Sequence, residues 1–290
     1  MSRHTSLKVG GPADLYAVPE DVDDLQALIE QLARQGIEWL AIGRGYNLLV
    51  RDGGVRGAVI SLKKLAKVEV LPGNRIRAGA GLSNQQLSQF CVKRELAGLE
   101  FLCGIPGTVG GALCMNAGAH GGVVLGALET LHSCRGGAIC ATPRAELTFG
   151  YRFLALAPDE VIVGGTFQLS PLPRKELEAR VAGYQLYRRE HQRVTEPNAG
   201  SFFKNPAGDA AWRLIDGAGL RGTRVGGAKI AEAHANFLVN AGGATAADFL
   251  ELAAMTKAAV WERFGVQLEE EVRIVGTDTL APEQLDEGGS

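Results

Sequence analysis

The five cysteines (Cys91, Cys103, Cys114, Cys134, Cys140) include no Cys-x-x-Cys pair. That spacing and the odd number fit reduced thiols better than a disulfide frame or a zinc site, so no metal is expected. Neither sign of charge dominates: 30 Lys and Arg stand against 32 Asp and Glu, a formal net charge of −2. The basic stripe of a general nucleic-acid binder is therefore missing. No apolar run approaches about 18 residues, and no basic-then-apolar segment opens the chain. Membrane spanning and secretion are thus not expected, and a cytoplasmic location is. There is also no internal repeat and no Gly-x-Ser-x-Gly.

What remains is an ordinary globular composition, 46% hydrophobic and 21% charged, in a 290-residue chain long enough for two domains. The 39 glycines are many, yet they follow no collagen-like period and gather in a few loops. "DLYAVPE" reads as a strand, Asp21 as a helix cap, and Leu25, Leu28, Ile29 and Leu32 as one helical face that Gly36 ends. "IEWLAI" is the next strand. "GAVISL", "KVEVL" and "RIRAGA" follow, then a helix from about Ser83 to Leu96, a hairpin turning at Gly136-Gly137, and the buried strand "EVIVGGTFQLS". From Pro171 the texture changes to a charged helix, two further helices near 208–217 and 245–264 (the second with a Thr245/Asp248 capping box), and the closing strand "VQLEEEVRIVG". The pattern is α+β, with a boundary expected between 170 and 200.

Two loops suit phosphate. In "AIGRGYNLLV", Gly43 and Gly45 follow a strand directly, where bare backbone N–H groups can cradle an anion. Leu48 replaces the third glycine of Gly-x-Gly-x-x-Gly and no helix follows, so a Rossmann reading fails. The run "CGIPGTVGGALCMNAGAHGG" (103–122) holds seven glycines and no Asp, Glu, Lys or Arg. A solvent loop of that length normally carries charge. Glycine mixed with Ile105, Pro106, Val109, Leu113 and Met115 suits backbone wrapped around a flat apolar ligand with a polar tail. A tightly packed buried crossover is the alternative.

Polar candidates cluster later. "AGSFFKNP" brings Ser201, Lys204 and Asn205 within five residues. They read either as a capped turn or as a proton donor beside groups for phosphate or sugar oxygens. Along "LEEEVRIVG", Glu269, Glu271 and Arg273 share one face and Glu270 the other; a solvated acidic edge is the plain explanation. Arg152 in "FGYRF" can meet a carboxylate in bidentate fashion, or form a surface ion pair. His4, His120 and His132 read as structural side chains.

In order from Thr5 to Gly276, the blocks "HTSLKVGGPADLYAVPE", "AIGRGYNLLVRDGGVRGAVI", "AGLEFLCGIPGTVGGALCMNAGAHGG", "FGYRF", "NAGSFFKNP", "LIDGAGLRGTRVGGAKIAEAHANFLVNAGGATAADF" and "FGVQLEEEVRIVG" resemble the UDP-N-acetylenolpyruvoylglucosamine reductase family. The resemblance is to its shorter form, without the extra tyrosine-bearing loop. It implies an FAD-binding domain of the vanillyl-alcohol-oxidase-like (PCMH) type over 1–170, in subdomains of about 1–62 and 63–170. A connecting helix at 171–193 would lead to an α+β substrate domain at 194–276, whose last strand returns toward the flavin, and a tail at 277–290. Non-covalent FAD would be held by Gly43, Arg44, Gly45, Tyr46, Asn47, Leu48, Gly79, Ile105, Pro106, Gly107, Thr108, Gly110, Gly111, Asn116, Gly118 and Ala119.

NADPH would be the co-substrate, and a UDP-linked enolpyruvyl amino sugar the substrate of a monomeric enzyme. Arg152 and Glu271 would flank the enolpyruvyl group, Ser201 would protonate its α-carbon, and Lys204, Asn205 and Arg273 would hold the substrate's phosphates or carboxylate. Tyr46 and Ala231 stand where the family commonly has serine, and Arg193 where Gln-Pro is usual. A different FAD oxidoreductase on the same fold, with His120 as its one candidate for covalent flavin attachment, is the competing expectation. A non-catalytic nucleotide-sugar binder is the third.

Overall fold

In the computed structural model, which describes residues 1–278, local signals set most element boundaries. Asp21 accepts the Asp24 N–H at 2.9 Å and starts the helix Val22–Arg34, which buries Leu25, Ile29 and Leu32. Ser83 and Gln86 close a capping box on the helix Asn84–Lys93, as Thr245 and Asp248 do on Ala246–Phe264. The first of these stops short of the expected Leu96 because Glu95 turns left-handed at φ 58°. The turn at Gly136-Gly137 has φ of 55° and 85°, the primed geometry that matches strand twist.

The expected closing strand is shorter than its alternation suggested. Only Arg273–Val275 is strand, paired in parallel with Leu48–Val50, and Glu270 makes an isolated bridge to Phe203. Leu268 and Val272, 1% and 3% exposed, still alternate into the core, so the burial pattern persists where the strand ladder does not.

The chain gathers into two compact units, neither continuous in sequence. One collects Met1–Asp14, Asn47–Arg56 and the described residues from Glu196 on; the other collects Leu15–Tyr46 and Gly57–Thr195. Residues 1–14 and 47–56, grouped by chain order with 1–170 above, thus pack with the C-terminal segment. The reason is apolar: Leu7, Val9 and Leu49 share one core with Phe202, Phe203, Ile215, Phe249 and Leu252. Its small sheet runs Arg224–Val225, Ala228–Ile230, Leu238–Asn240. Asp52 accepts the N–H groups of Ala246 and Ala247 at 2.8 and 2.9 Å, capping a helix almost two hundred residues away in sequence.

The larger unit is built on a five-stranded antiparallel sheet, ordered Ala138–Pro143, Leu128–Arg135, Glu160–Gln168, Arg75–Gly79, Val68–Leu71. Strand Trp39–Ile42 pairs in parallel with Val55–Ser61 over Ala58 to Ser61. One apolar cluster gathers around Ile76, Leu87, Phe101, Leu113 and Phe167, and a second around Leu25, Ile29, Ile60 and Val161. Of the expected tail, Thr277 still donates to Gly54 O at 2.9 Å, and 279–290 lie outside the described residues. No helix among the described residues is long and apolar enough to cross a membrane.

Candidate cofactor and substrate sites

In the larger unit the two glycine loops meet. A Cβ on Gly43 would stand 2.3 Å from Thr108 Oγ1, so only glycine allows that approach. Thr108 in turn caps the short helix Val109–Cys114. The run is pinned from behind by Val109 N–H to Leu82 O and Gly110 N–H to Ala80 O, both 2.9 Å. Asn84 adds Nδ2 to Ile105 O and its own N–H to Gly107 O, each 3.2 Å.

The glycines then divide into two kinds. Gly110 faces inward, where a Cβ would lie 2.8 Å from Ala80 Cβ; Gly104 has open space, and Gly107 and Gly111 meet one polar atom each, at 3.8 and 3.7 Å. Bare backbone at Gly104, Gly107 and Gly111 thus has room on a loop pinned elsewhere, which fits a cofactor with a flat ring and a phosphate tail. Gly45, at φ 63°, Arg44 and Tyr46 complete the first loop, and Arg44 and Tyr46 are exposed. Gly79 is packed tightly on its Cβ side, where a methyl group would strike Leu65 O at 2.2 Å. Gly118 and Ala119 pair with Val123 and Gly122 in a tight hairpin.

Asn116, His120 and Arg152 all take left-handed backbone, at φ 41°, 53° and 56°. Non-glycine residues there cluster at functional sites. The Asn116 amide is used at both ends, Nδ2 to Gly150 O at 2.9 Å and Oδ1 from Leu125 N–H at 3.3 Å. It thereby ties the glycine run to the turn that carries Arg152. Arg152 donates to Gly118 O at 3.2 Å and lies over the Tyr151 ring at 5.2 Å.

Helix Arg174–His191 braces the same run although Leu177 is its one fully buried residue. Arg180 pairs with buried Glu100 at 2.8 Å, Arg188 donates to Gly104 O, and Tyr184 stacks on His120 at 4.2 Å. Burial alone would raise the Glu100 carboxyl, but the Gly98 N–H and Arg180 outweigh it and hold the group below its ordinary range. With Tyr187 edge-on at 5.4 Å, the His120 ring is held against this helix. Burial and the Glu100 charge push the Cys91 thiol up to about 12, leaving it protonated and inert.

The smaller unit holds the other candidates. Segment 201–204 runs beside 269–272: Glu271 N–H donates to Phe202 O and Lys204 N–H to Glu269 O, both at 2.8 Å. Ser201 and Glu271 are therefore brought to neighbouring extended segments, each half-buried. Asn47 reaches the same place, Nδ2 to Glu271 O at 2.9 Å, with its carbonyl accepting Arg273 N–H at 3.1 Å, and Leu48 opens the paired strand. Lys204 pairs with Glu269 at 3.2 Å, and Glu270, on the opposite face, pairs with Lys257 at 3.0 Å. Asn205 Oδ1 accepts the Ala211 N–H at 3.0 Å and starts the helix Ala211–Gly217, which therefore begins later than the expected 208. Arg273 is exposed. Among the described residues no group of His, Cys, Asp and Glu could hold a metal.

Sequence reasoning passed over Asn236, a buried amide between Ala235 and Phe237 that bonds the Ser201 strand. The available signal was a lone polar residue in an apolar stretch, which must find partners when buried.

The FAD binding domain family matches residues 13–135, and with the open glycine cradle this defines the class: an FAD-dependent oxidoreductase of α+β fold. The C-terminal domain of UDP-N-acetylenolpyruvoylglucosamine reductase matches residues 192–275. Reductases of that name from Geobacter metallireducens and Geotalea uraniireducens are 60% and 58% identical over 278 residues, covering 96% of this chain and 93% of theirs. The crystal structure of the Thermus caldophilus reductase superposes with a TM-score of 0.81 at 37% identity, covering 94% of this chain and 96% of that one. The chain belongs to the UDP-N-acetylenolpyruvoylglucosamine reductase family.

Proposed function

We propose that the protein reduces UDP-N-acetylglucosamine enolpyruvate to UDP-N-acetylmuramate, a step of peptidoglycan precursor synthesis, as a cytoplasmic monomer using NADPH. Residues 1–170 bind FAD non-covalently through the two glycine loops, and residues 194–276 bind the UDP-sugar. The observation that carries this reading is the 60% identity to a named reductase across 96% of the chain.

Bound in the cradle, FAD supplies two-electron hydride transfer between NADPH and the enolpyruvyl β-carbon. The chain's own work is to manage the charge that results. As the β-carbon gains hydride, negative charge builds on the α-carbon and its carboxylate, and Arg152 stabilises it electrostatically. Ser201 gives its hydroxyl proton to the α-carbon, completing the saturated ether, and regains a proton from solvent. Glu271 orients the reacting group, while Lys204, Asn205 and Arg273 hold the substrate's anionic oxygens. Serine is a weak acid, but a carbanion-like carbon is basic enough to take its proton.

The test is anaerobic, in two steps on FAD-reconstituted protein. NADPH should bleach the flavin band, and the enolpyruvyl substrate should restore it. Ser201→Ala should bleach normally and recover slower by about 10²–10⁴, the usual worth of positioned proton transfer. Recovery at the parental rate would make the proton-donor assignment wrong; bleaching without recovery in the parent would remove the substrate.

A further inference from the structure

Ser201 sits on a three-residue turn whose two ends are fastened to one neighbouring segment, 236–240. Upstream, Asn198 bridges Val239, and Pro197 O accepts the Asn240 N–H at 2.9 Å. Asn198 Oδ1 also accepts the Gly200 N–H at 2.9 Å, which sets the turn at Gly200, φ 75°. Downstream the strand Leu238–Asn240 has ended, and one residue takes over its role. Asn236 accepts the Phe202 N–H on its own carbonyl at 2.8 Å. Its side chain then accepts the Phe203 N–H at 3.0 Å and donates to Phe203 O at 2.8 Å.

A primary amide presents the same donor and acceptor as a peptide bond, so this side chain supplies one antiparallel rung where the strand supplies none. The surroundings are mostly apolar, with the His234 Nδ1 accepting the Asn236 backbone N–H at 3.3 Å as the polar exception. Asn236 is 2% exposed, and Phe202, Phe203 and Ala235 are 0% exposed. Opening the rung would leave four buried polar atoms unpaired, Phe203 N and O and Asn236 Oδ1 and Nδ2, so the arrangement has one state rather than several. On the other side, Phe202 O and Lys204 N–H are held by Glu271 and Glu269. Residues 199–201 are the free span between these fixed points.

We propose that Asn236 and Asn198 are positioning residues for the proton step, clamping the two ends of the turn that presents the Ser201 hydroxyl. The proposal rests on the role given to Ser201 above. Neither asparagine touches the reacting atoms; their effect passes through the place of the hydroxyl. Misplacement by about 1 Å costs on the order of 10²-fold in rate.

Asn236→Asp is the sharpest variant. It keeps the acceptor for Phe203 N–H and, once ionised, sets a carboxylate oxygen against Phe203 O, where two acceptors repel. Burial favours the neutral acid, which would still donate there, so the rate is followed from about pH 6 to about pH 9 and the defect should deepen as pH rises. Reoxidation of the reduced flavin by the enolpyruvyl substrate should slow by roughly 10–100-fold, while bleaching by NADPH stays within about twofold of the parent. The solvent deuterium effect on reoxidation should rise as proton delivery becomes limiting. The decisive readout is a cycle with Ser201→Ala. If the clamp acts only through the hydroxyl, Asn236→Asp should add nothing once the hydroxyl is gone.

Should Asn236→Asp fail to fold, Asn198→Ala releases the half-buried upstream end and is read in the same cycle. An unchanged reoxidation rate, or a slowing that multiplies with Ser201→Ala, overturns the clamp and leaves the proton donor standing. A Ser201→Ala enzyme that reoxidises at the parental rate overturns the donor itself, and the two failures are therefore distinct.

Discussion

Gly110 and Gly111 are adjacent, lie in the same short helix, and should respond to alanine with opposite signs. Gly111 is exposed, and a Cβ there would meet only Thr108 Oγ1 at 3.7 Å, an ordinary contact. Replacing an interior helical glycine by alanine then gains about 0.5–1 kcal/mol from reduced backbone entropy. For the apoprotein that amounts to roughly 1–4 °C in Tm. The same methyl group enters the open side of the cradle. If FAD lies against the bare backbone, overpacking of about 1–3 kcal/mol weakens its binding, between about 5- and 150-fold in Kd. Gly110→Ala instead drives a Cβ to 2.8 Å from Ala80 Cβ and 3.2 Å from its carbonyl, so the apoprotein itself should lose about 1–3 kcal/mol. Thermal melts of the apoproteins and fluorescence titration with FAD read both quantities. A Gly111→Ala protein that binds FAD as tightly as the parent would refute the placement of the cofactor on that face.

Asp52→Ala removes the acceptor of two N–H groups at the start of Ala246–Phe264 and should cost about 1–2 kcal/mol, the range for a lost N-cap; an unchanged urea midpoint would contradict the assignment. His132 and His234 should make the protein less stable in mild acid. Burial, then the Arg77 charge, hold His132 below 6.5, and burial, then Arg221, do the same for His234. A folded pKa below the unfolded one contributes stability that is complete above 6.5 and is lost as pH falls through the folded value. Tm should therefore decline from about pH 7 to about pH 5 and His132→Gln should shallow the decline; an equal slope in that variant would remove His132 from the account.

Much of the site was legible because glycine and capping residues act locally. The seven uncharged-run glycines announced close backbone approach, and Asp21, Ser83 and Thr245 announced their helices, through contacts three residues away. Ser201 beside Lys204 and Asn205 was visible as a constellation for the same reason. Which glycines close against protein and which stay open was not. That depends on Ala80, Leu65 and Thr108 arriving from elsewhere in the chain, and a sequence carries no record of which neighbour fills a missing Cβ.

The unit boundaries show the same division. Composition marked a change near 170–200, but the small unit also takes in 1–14 and 47–56, because Leu7, Val9 and Leu49 find their apolar partners among Phe202, Phe249 and Leu252. Asp52 and Asn236 read as ordinary polar residues until folding puts the first two N–H groups of a helix beside one and an unpaired rung beside the other. The sequence by itself determined the elements, the glycine cradle and the residue types for the chemistry, since each is written in near neighbours. Tertiary structure decided which backbone lies open and what holds Ser201 in place, since burial and hydrogen-bond completion are properties of segments that meet only in the folded chain.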